Sequence, residues 1–329
     1  MLKIGVIGVG SMGKNHARVC SELEDVELVG VVDANRSTAK RIAKIFDTEP
    51  FFDYKEIIPK IDAAIVATPT STHYKIAMDL LDEGKHVLVE KPICSSVKEA
   101  EELVKKAEKK KLVLAVGHIE RHNQAVKFVK DALDKKRFGE LIALSSKRVS
   151  NFPGRIRDVG VILDFGIHDI DVMRYLVGEI RSVYAKSGKV NRNIDFEDHA
   201  IMILNFENGV AGFVEVNWLT PMKVRKLSLT CSRVFAEVDY IEQTVTISSS
   251  KFGEIDETDL YHIPLQYHID KISLKKKEPL KEEIKDFVEA IEKGKKPLAD
   301  GFDGLMALKV AEAAVRSCEK GREEIILYD

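Results

Sequence analysis

The chain has 329 residues, of which 45% are hydrophobic and 32% charged, and its formal net charge is −2. That length holds two domains with cores of their own, and the composition is ordinary for a globular protein in water. The near-neutral balance gives no reason to expect a nucleic-acid or membrane partner, and no apolar run reaches the roughly 18 residues needed to span a bilayer.

The residues from 2 to 7 read as a buried strand that runs into Gly8-Val9-Gly10-Ser11-Met12-Gly13, and a helical pattern follows. A second apolar strand, 26–32, ends at Asp33, 20 residues beyond Gly13. In this strand–turn–helix–strand order each position has a task in dinucleotide binding. Gly8 permits the tight turn, Gly10 lets the backbone approach a pyrophosphate, and Gly13 lets the helix pack close to the strand. The helix start at Ser11, Met12 and Gly13 offers N–H groups to phosphate charge. Asp33 would accept hydrogen bonds from the adenosine ribose and repel a 2′-phosphate. NAD is therefore expected over NADP, with Arg36 near enough in sequence to admit the latter.

Further on, Ser37 reads as the N-cap of a helix through Ile45, and 63–67 as a short buried strand. An amphipathic helix over 70–83 carries Ile76, Ala77, Leu80 and Leu81 on one face and stops at Gly84. A strand at 86–89, a helix from Ser96 to about Lys110 and a strand at 112–116 continue the alternation. Such repetition predicts a doubly wound parallel sheet with right-handed crossovers. Ligands of such sheets bind beyond the carboxyl ends of the strands. Three stretches end there: the glycine loop, Thr68-Pro69 followed by His73, and Glu90-Lys91-Pro92. A lysine at that place would hydrogen-bond a substrate hydroxyl and favour its alkoxide, although a plain strand-end ion pair between Glu90 and Lys91 fits the same pattern.

Beyond His118 the pattern changes to a helix over 123–135 and then alternating strands at 141–149, 199–206, 210–217, 225–231, 234–240 and 244–247. Asn208-Gly209 is a hairpin signal between two of them. Two helices, near 280–293 and 304–320, close the chain. The expected fold is α/β followed by α+β. Residues 1–120 form the dinucleotide-binding domain, and 121–329 an open, largely antiparallel sheet with helices on one face. The other face would be apolar and need covering, which predicts a homodimer or homotetramer built sheet to sheet.

The densest polar cluster of the second half lies at 161–171. Asp164 and His168, four apart, share a helical face, and Asp171 lies three beyond His168. A carboxylate near an imidazole holds its tautomer and raises its basicity, which suits a general base. Arg155 and Arg157 just upstream would clamp a diphosphate, with Lys223 and Arg225 as further cations; surface or interface salt bridges are the alternative use of these side chains. The remaining histidines, His16, His118 and His122 among them, read as structural, and no metal site is expected because no ligand spacing occurs. Cys20, Cys94, Cys231 and Cys318 are scattered, so free thiols in a reducing cytoplasm are expected, and a strand pattern that begins at Leu2 leaves no room for a signal peptide.

These residues together resemble the Gfo/Idh/MocA family (glucose-fructose oxidoreductase, inositol dehydrogenase and relatives). The resemblance runs through the glycine loop, Ala67-Thr68-Pro69 with His73, the stretch from Gly84 to Pro92, the Asp164/His168 segment and Asp303 to Leu308. It implies that Lys91, Asp164 and His168 form the catalytic group, and that Gly8, Gly10, Ser11, Met12, Gly13, Asp33, Thr68, Pro69, His73, Glu90 and Lys91 bind the cofactor. A run of glycines often precedes the family's aspartate; here Gly160 stands alone. Members that keep the fold without catalysis have a broken lysine or histidine, and both are intact here. The implied reaction is hydride transfer from a ring CH–OH to NAD(P). The segment from Phe152 to Met173 is similar to members that oxidise UDP-N-acetylglucosamine at C3. The expected substrate is therefore a nucleotide sugar held by Arg155, Arg157, Asp164 and His168, with a free hexose or inositol, or a non-catalytic cofactor-binding regulator, as the alternatives.

Overall fold

The computed structural model describes residues 1–152, 154, 159–252 and 265–328. The chain divides into two units, Met1–His122 with Glu278–Glu312, and Asn123–Lys277 with Ala313–Asp329.

In the first unit short apolar strands alternate with helices. In chain order these are β1 (Leu2–Ile7), α1 (Gly13–Glu22), β2 (Val26–Val32), α2 (Arg36–Ile45), β3 (Glu49–Phe51), α3 (Tyr54–Ile57), β4 (Ala63–Val66), α4 (His73–Asp82), β5 (His86–Val89), α5 (Val97–Lys110) and β6 (Leu114–Val116). The strands make one parallel sheet in the order β3-β2-β1-β4-β5-β6. The order reverses between β1 and β4, the place where such sheets open a crevice for a dinucleotide. Strands buried on both faces need apolar side chains at every position, and all four residues of β4 are buried. The cap of α2 is Asn35, whose carbonyl oxygen accepts from the N–H groups of Ser37 and Thr38, 3.1 Å each. Ser37 instead donates its hydroxyl to the same oxygen. Asn35 is favoured because it directly precedes the first helical residue, where an Asx side chain reaches the open N–H groups.

The second unit contains α6 (Gln124–Asp134), β7 (Leu141–Asn151), α7 (Ile167–Val177), β8 (Ile180–Gly188), β9 (His199–Phe206), β10 (Ala211–Asn217), β11 (Leu219–Cys231), β12 (Phe235–Asp239), β13 (Thr244–Phe252) and β14 (Leu265–Ser273). The chain then continues through α8 (Pro279–Lys293), α9 (Gly301–Lys320) and β15 (Glu324–Ile325). Nine strands form a mixed sheet in the order β14-β13-β12-β11-β7-β10-β9-β8-β15, in which only β7 and β10 run parallel. Asn208-Gly209 turns the β9–β10 hairpin, with Gly209 at φ +85°. Alternation sorts the sheet's faces: Leu144, Met202, Leu204, Val214, Val216, Leu227 and Val238 are buried on the side of α6 and α7. Ile201, Ile203, Phe213 and Phe235 are exposed on the other.

A single cut near residue 120 does not separate the units. The apolar stripe of α8, Leu280, Ile284, Phe287 and Val288, packs with Val9, Ala17 and Cys20 in the core of the first unit. Among the described residues no helix is long and apolar enough to cross a membrane.

Candidate active site

The glycine loop follows from steric rules at single positions. Gly8 has φ +84°, and a Cβ there would stand 2.8 Å from the Ala67 carbonyl oxygen. A Cβ on Gly13 would lie 1.7 Å from the Gly8 carbonyl oxygen, so α1 can begin this close to β1 only with glycine. A Cβ on Gly10 would meet nothing within 4 Å, which leaves open space over the loop. Met12, the N-cap of α1, makes no side-chain cap, so the first-turn N–H groups are not claimed by a capping side chain. Asp33, just past β2, accepts from the N–H of Val9 (3.1 Å) and of Asn35 (2.8 Å), which fixes its carboxylate beside the loop. Arg36 lies over the Phe52 ring, 4.5 Å from its centroid. Open backbone over the loop, a helix start without a side-chain cap and an anchored carboxylate together fit a dinucleotide.

Two further strand-end loops belong to this unit. His73 is buried, with Nδ1 2.9 Å from the Pro92 carbonyl oxygen and Nε2 2.9 Å from that of Thr68. Burial pulls it below the ordinary histidine value, against the two carbonyls and Glu90. Its position makes it a tie between the Thr68-Pro69 loop and the Lys91-Pro92 loop, whose peptide bond is cis.

Glu90 turns inward from the end of β5. Its Oε1 lies 2.7 Å from His16 Nε2 and its Oε2 accepts the Lys91 N–H at 3.2 Å. Burial pushes this carboxyl up, but the hydrogen bond to His16 and the charges of His16, Lys91 and His73 prevail and hold it below the usual range. Glu283 of α8 is also buried, and neither carboxylate oxygen has a hydrogen-bond partner among the described residues. Burial, then the charges of Glu90 and Asp286, push its carboxyl well above the usual range. The burial of Glu283 and the pairing of Glu90 with His16 escaped the sequence reading, which has Glu90 as a cofactor-binding residue. The one signal for that pairing was His16, on the buried face of α1 one turn beyond the glycine loop.

In the second unit, Ile162–Gly166 form a π-helical turn that leads directly into α7, in place of the regular helix expected there. Asp164 lies in that turn and is buried, and His168, half-buried, lies in the first turn of α7. The segment is held from β9's approach: the Glu197 carboxylate accepts the Ile162 N–H at 3.0 Å, and its carbonyl accepts that of Val161 at 3.1 Å. A Cβ on Gly160 would stand 2.1 Å from both Glu197 carboxylate oxygens, which explains the single glycine before the aspartate. Burial raises the Glu197 carboxyl, opposed by the Ile162 N–H. Trp218 is buried edge-on to Phe152 and Phe165, with centroids at 5.4 and 6.2 Å. Lys223 and Arg225 stand on β11. Arg155 and Arg157 lie outside the described residues.

Residues 2–118 match the family described as an oxidoreductase family with an NAD-binding Rossmann fold, and residues 126–237 match the GFO/IDH/MocA C-terminal domain. The chain is 30% identical over 310 residues to UDP-N-acetylglucosamine 3-dehydrogenase of Acidithiobacillus ferrooxidans, covering 94% of this chain and 95% of that one. It is 26% identical to myo-inositol 2-dehydrogenase of Thermotoga maritima, covering 99% and 100%. A solved structure of the Acidithiobacillus ferrooxidans enzyme superposes with a TM-score of 0.85 at 28% identity, over 97% of this chain and 98% of that one.

Proposed function

Because the chain belongs to the Gfo/Idh/MocA family of NAD-binding oxidoreductases, we propose that it oxidises C3 of UDP-N-acetylglucosamine to the 3-keto sugar. The observation that carries this reading is the end-to-end likeness, in sequence and in fold, to the Acidithiobacillus ferrooxidans enzyme. Intact Lys91 and His168 support catalysis, and Arg155 and Arg157 have the chemistry to hold a diphosphate. In this reading Lys91 hydrogen-bonds the C3 hydroxyl, His168 takes its proton, and Asp164 orients the site. The carbon–hydrogen bond breaks with its electron pair and the carbonyl forms. Gly8, Gly10, Ser11, Met12, Gly13, Asp33, Thr68 and Pro69 would hold the dinucleotide, whose nicotinamide would supply the hydride acceptor. A panel of UDP-sugars, free hexoses and inositols, followed by NADH absorbance, tests the reading. UDP-N-acetylglucosamine is expected to give the highest kcat/KM. Turnover of inositols or free sugars with none of any UDP-sugar overturns it in favour of an inositol or hexose dehydrogenase.

For the cofactor, NAD is expected to bind at least about tenfold tighter than NADP, a difference of about 1.4 kcal/mol. The Asp33 carboxylate, anchored by two N–H groups, would meet a 2′-phosphate with like charge, and Arg36 is engaged with Phe52. Binding titrations of both reduced cofactors decide the point, and tighter NADPH binding refutes it.

We also propose a homodimer or homotetramer joined through the sheet face that exposes Ile201, Ile203, Phe213 and Phe235. Light scattering after gel filtration at micromolar concentration is expected to give a multiple of the chain mass, and Phe213→Asp to reduce it; a monomeric wild type sinks the idea. The four cysteines are free thiols, which suits work in the cytoplasm.

A further inference from the structure

The helix-covered face of the second unit's sheet carries one group that its apolar neighbours do not call for. Arg148 projects from β7 into a layer where Leu144, Val214, Val216, Leu227, Leu229 and the small Ser146 are buried, and is 1% exposed. It meets Asp169 of α7, also 1% exposed, through two contacts: Nε–Oδ2 at 2.8 Å and Nη2–Oδ1 at 3.4 Å. The guanidinium lies over the Tyr240 ring, 5.3 Å from its centroid. The Tyr240 carbonyl oxygen in turn accepts from Asn123 Nδ2 at 3.0 Å, and Asn123 caps α6. A buried ion pair gives up the hydration of two charges, and an apolar pair of like volume commonly holds a fold as well or better. A requirement for stability therefore does not account for it.

Geometry does. Asp169 is the residue after His168, and the turn before them is π-helical, wound more loosely than the helix it feeds. Glu197 holds the start of that turn through the Val161 and Ile162 N–H groups, and beyond it the rotation of α7 is set by contacts of α7 itself. A two-pronged guanidinium–carboxylate contact to a central strand sets it, because the planar fork accepts a carboxylate in few orientations. Side-chain tips lie about 5–6 Å from a helix axis, so a rotation of about 10° moves them by about 1 Å. A misplacement of about 1 Å at a reacting group costs about 100-fold in rate. We infer that Arg148 and Asp169 are positioning residues, whose buried pair fixes the rotation of α7 and so the direction in which His168 is presented. This rests on the reading of His168 as the proton acceptor.

The decisive variant is Arg148→Met with Asp169→Leu, which removes both charges and keeps the volume. It is expected to melt within about 3 °C of the wild type or above it, because the apolar pair replaces the ionic one without leaving an orphan charge. It should bind NADH as the wild type does, lose about 10- to 100-fold in kcat with KM for the sugar within about threefold, and recover when the Arg–Asp pair is restored. Independently of turnover, the His168 imidazole, followed by NMR in the unliganded protein and assigned with His168→Gln, should shift its titration midpoint by at least about half a pH unit, since its surroundings change with its direction. A folded double variant with native kcat and a native His168 midpoint overturns the proposal. If the double variant does not fold, Arg148→Lys decides, because it keeps the charge and loses the fork: a native midpoint there overturns the proposal as well. Should the wild type oxidise no sugar, the functional reading falls, while the His168 midpoint still tests the positioning role.

Discussion

Replacing His168 with alanine is expected to lower turnover by roughly two to four orders of magnitude, and Lys91→Ala to do the same, the range lost when a positioned proton-transfer group is removed. The two losses have different origins. His168, half-buried in the first turn of α7, would take the hydroxyl proton, and without it the proton must go to water. Lys91 follows Glu90, whose carboxylate is held ionised by His16 and accepts the Lys91 N–H. His168→Ala should bind NADH within about threefold of the wild type, because interactions made only in the transition state lower kcat without weakening ground-state binding. Initial rates with the best substrate of the panel, together with NADH titrations, make the check. Wild-type turnover in either variant rules out the assigned roles.

The second large effect is expected at Gly13. Gly→Ala in a helix ordinarily stabilises by about 0.5–1 kcal/mol. Here the new methyl would stand 1.7 Å from a main-chain carbonyl oxygen, with no flexible side chain to give way. Either α1 or the loop must move, so Gly13→Ala is expected to destabilise by about 3 kcal/mol or more and to abolish cofactor binding. Gly10→Ala is its counterpart, because a Cβ there meets nothing within 4 Å in the unliganded protein. That variant should melt like the wild type and still lose NADH affinity, since the methyl occupies the path of the pyrophosphate. Thermal melts and calorimetric titrations of the pair separate the two effects. A Gly13→Ala protein that melts like the wild type, or a Gly10→Ala protein that binds NADH normally, refutes the corresponding half.

What could be read in the sequence is what local sterics and periodicity dictate. The glycine loop and Asp33 were legible because each position answers to a backbone constraint within 33 residues. The faces of the second sheet were legible because alternation sorts them, whatever the strand order. Pairings across long stretches of chain were not. The stripe Leu280, Ile284, Phe287 and Val288 announces that α8 is buried, but nothing in it names Val9 and Ala17 as its neighbours. Glu283, inside the run Lys281-Glu282-Glu283, reads as part of a solvated face and is instead buried in the first unit. His16 looked structural, and its partner Glu90 lies 74 residues away. A π-helical turn stands at Asp164 where a regular helix was expected, and Glu197, from beyond β8, accepts the N–H groups at its start. The pairing of Asp164 with His168 was legible as a spacing only, four residues being about one turn in either winding.

The return of residues 278–312 to the first unit governs how the chain is made. A ribosome releases β1 to β6 with the inner side of α1 still uncovered, because Leu280, Ile284, Phe287 and Val288 have yet to be synthesised. The whole of the second unit's sheet except β15 emerges in between. An N-terminal domain ordinarily closes before the next one appears, whereas this one receives its last core helix after the second sheet has been made. Until α8 has left the exit tunnel, the cluster around Val9, Ala17 and Cys20 lacks the four side chains that complete it.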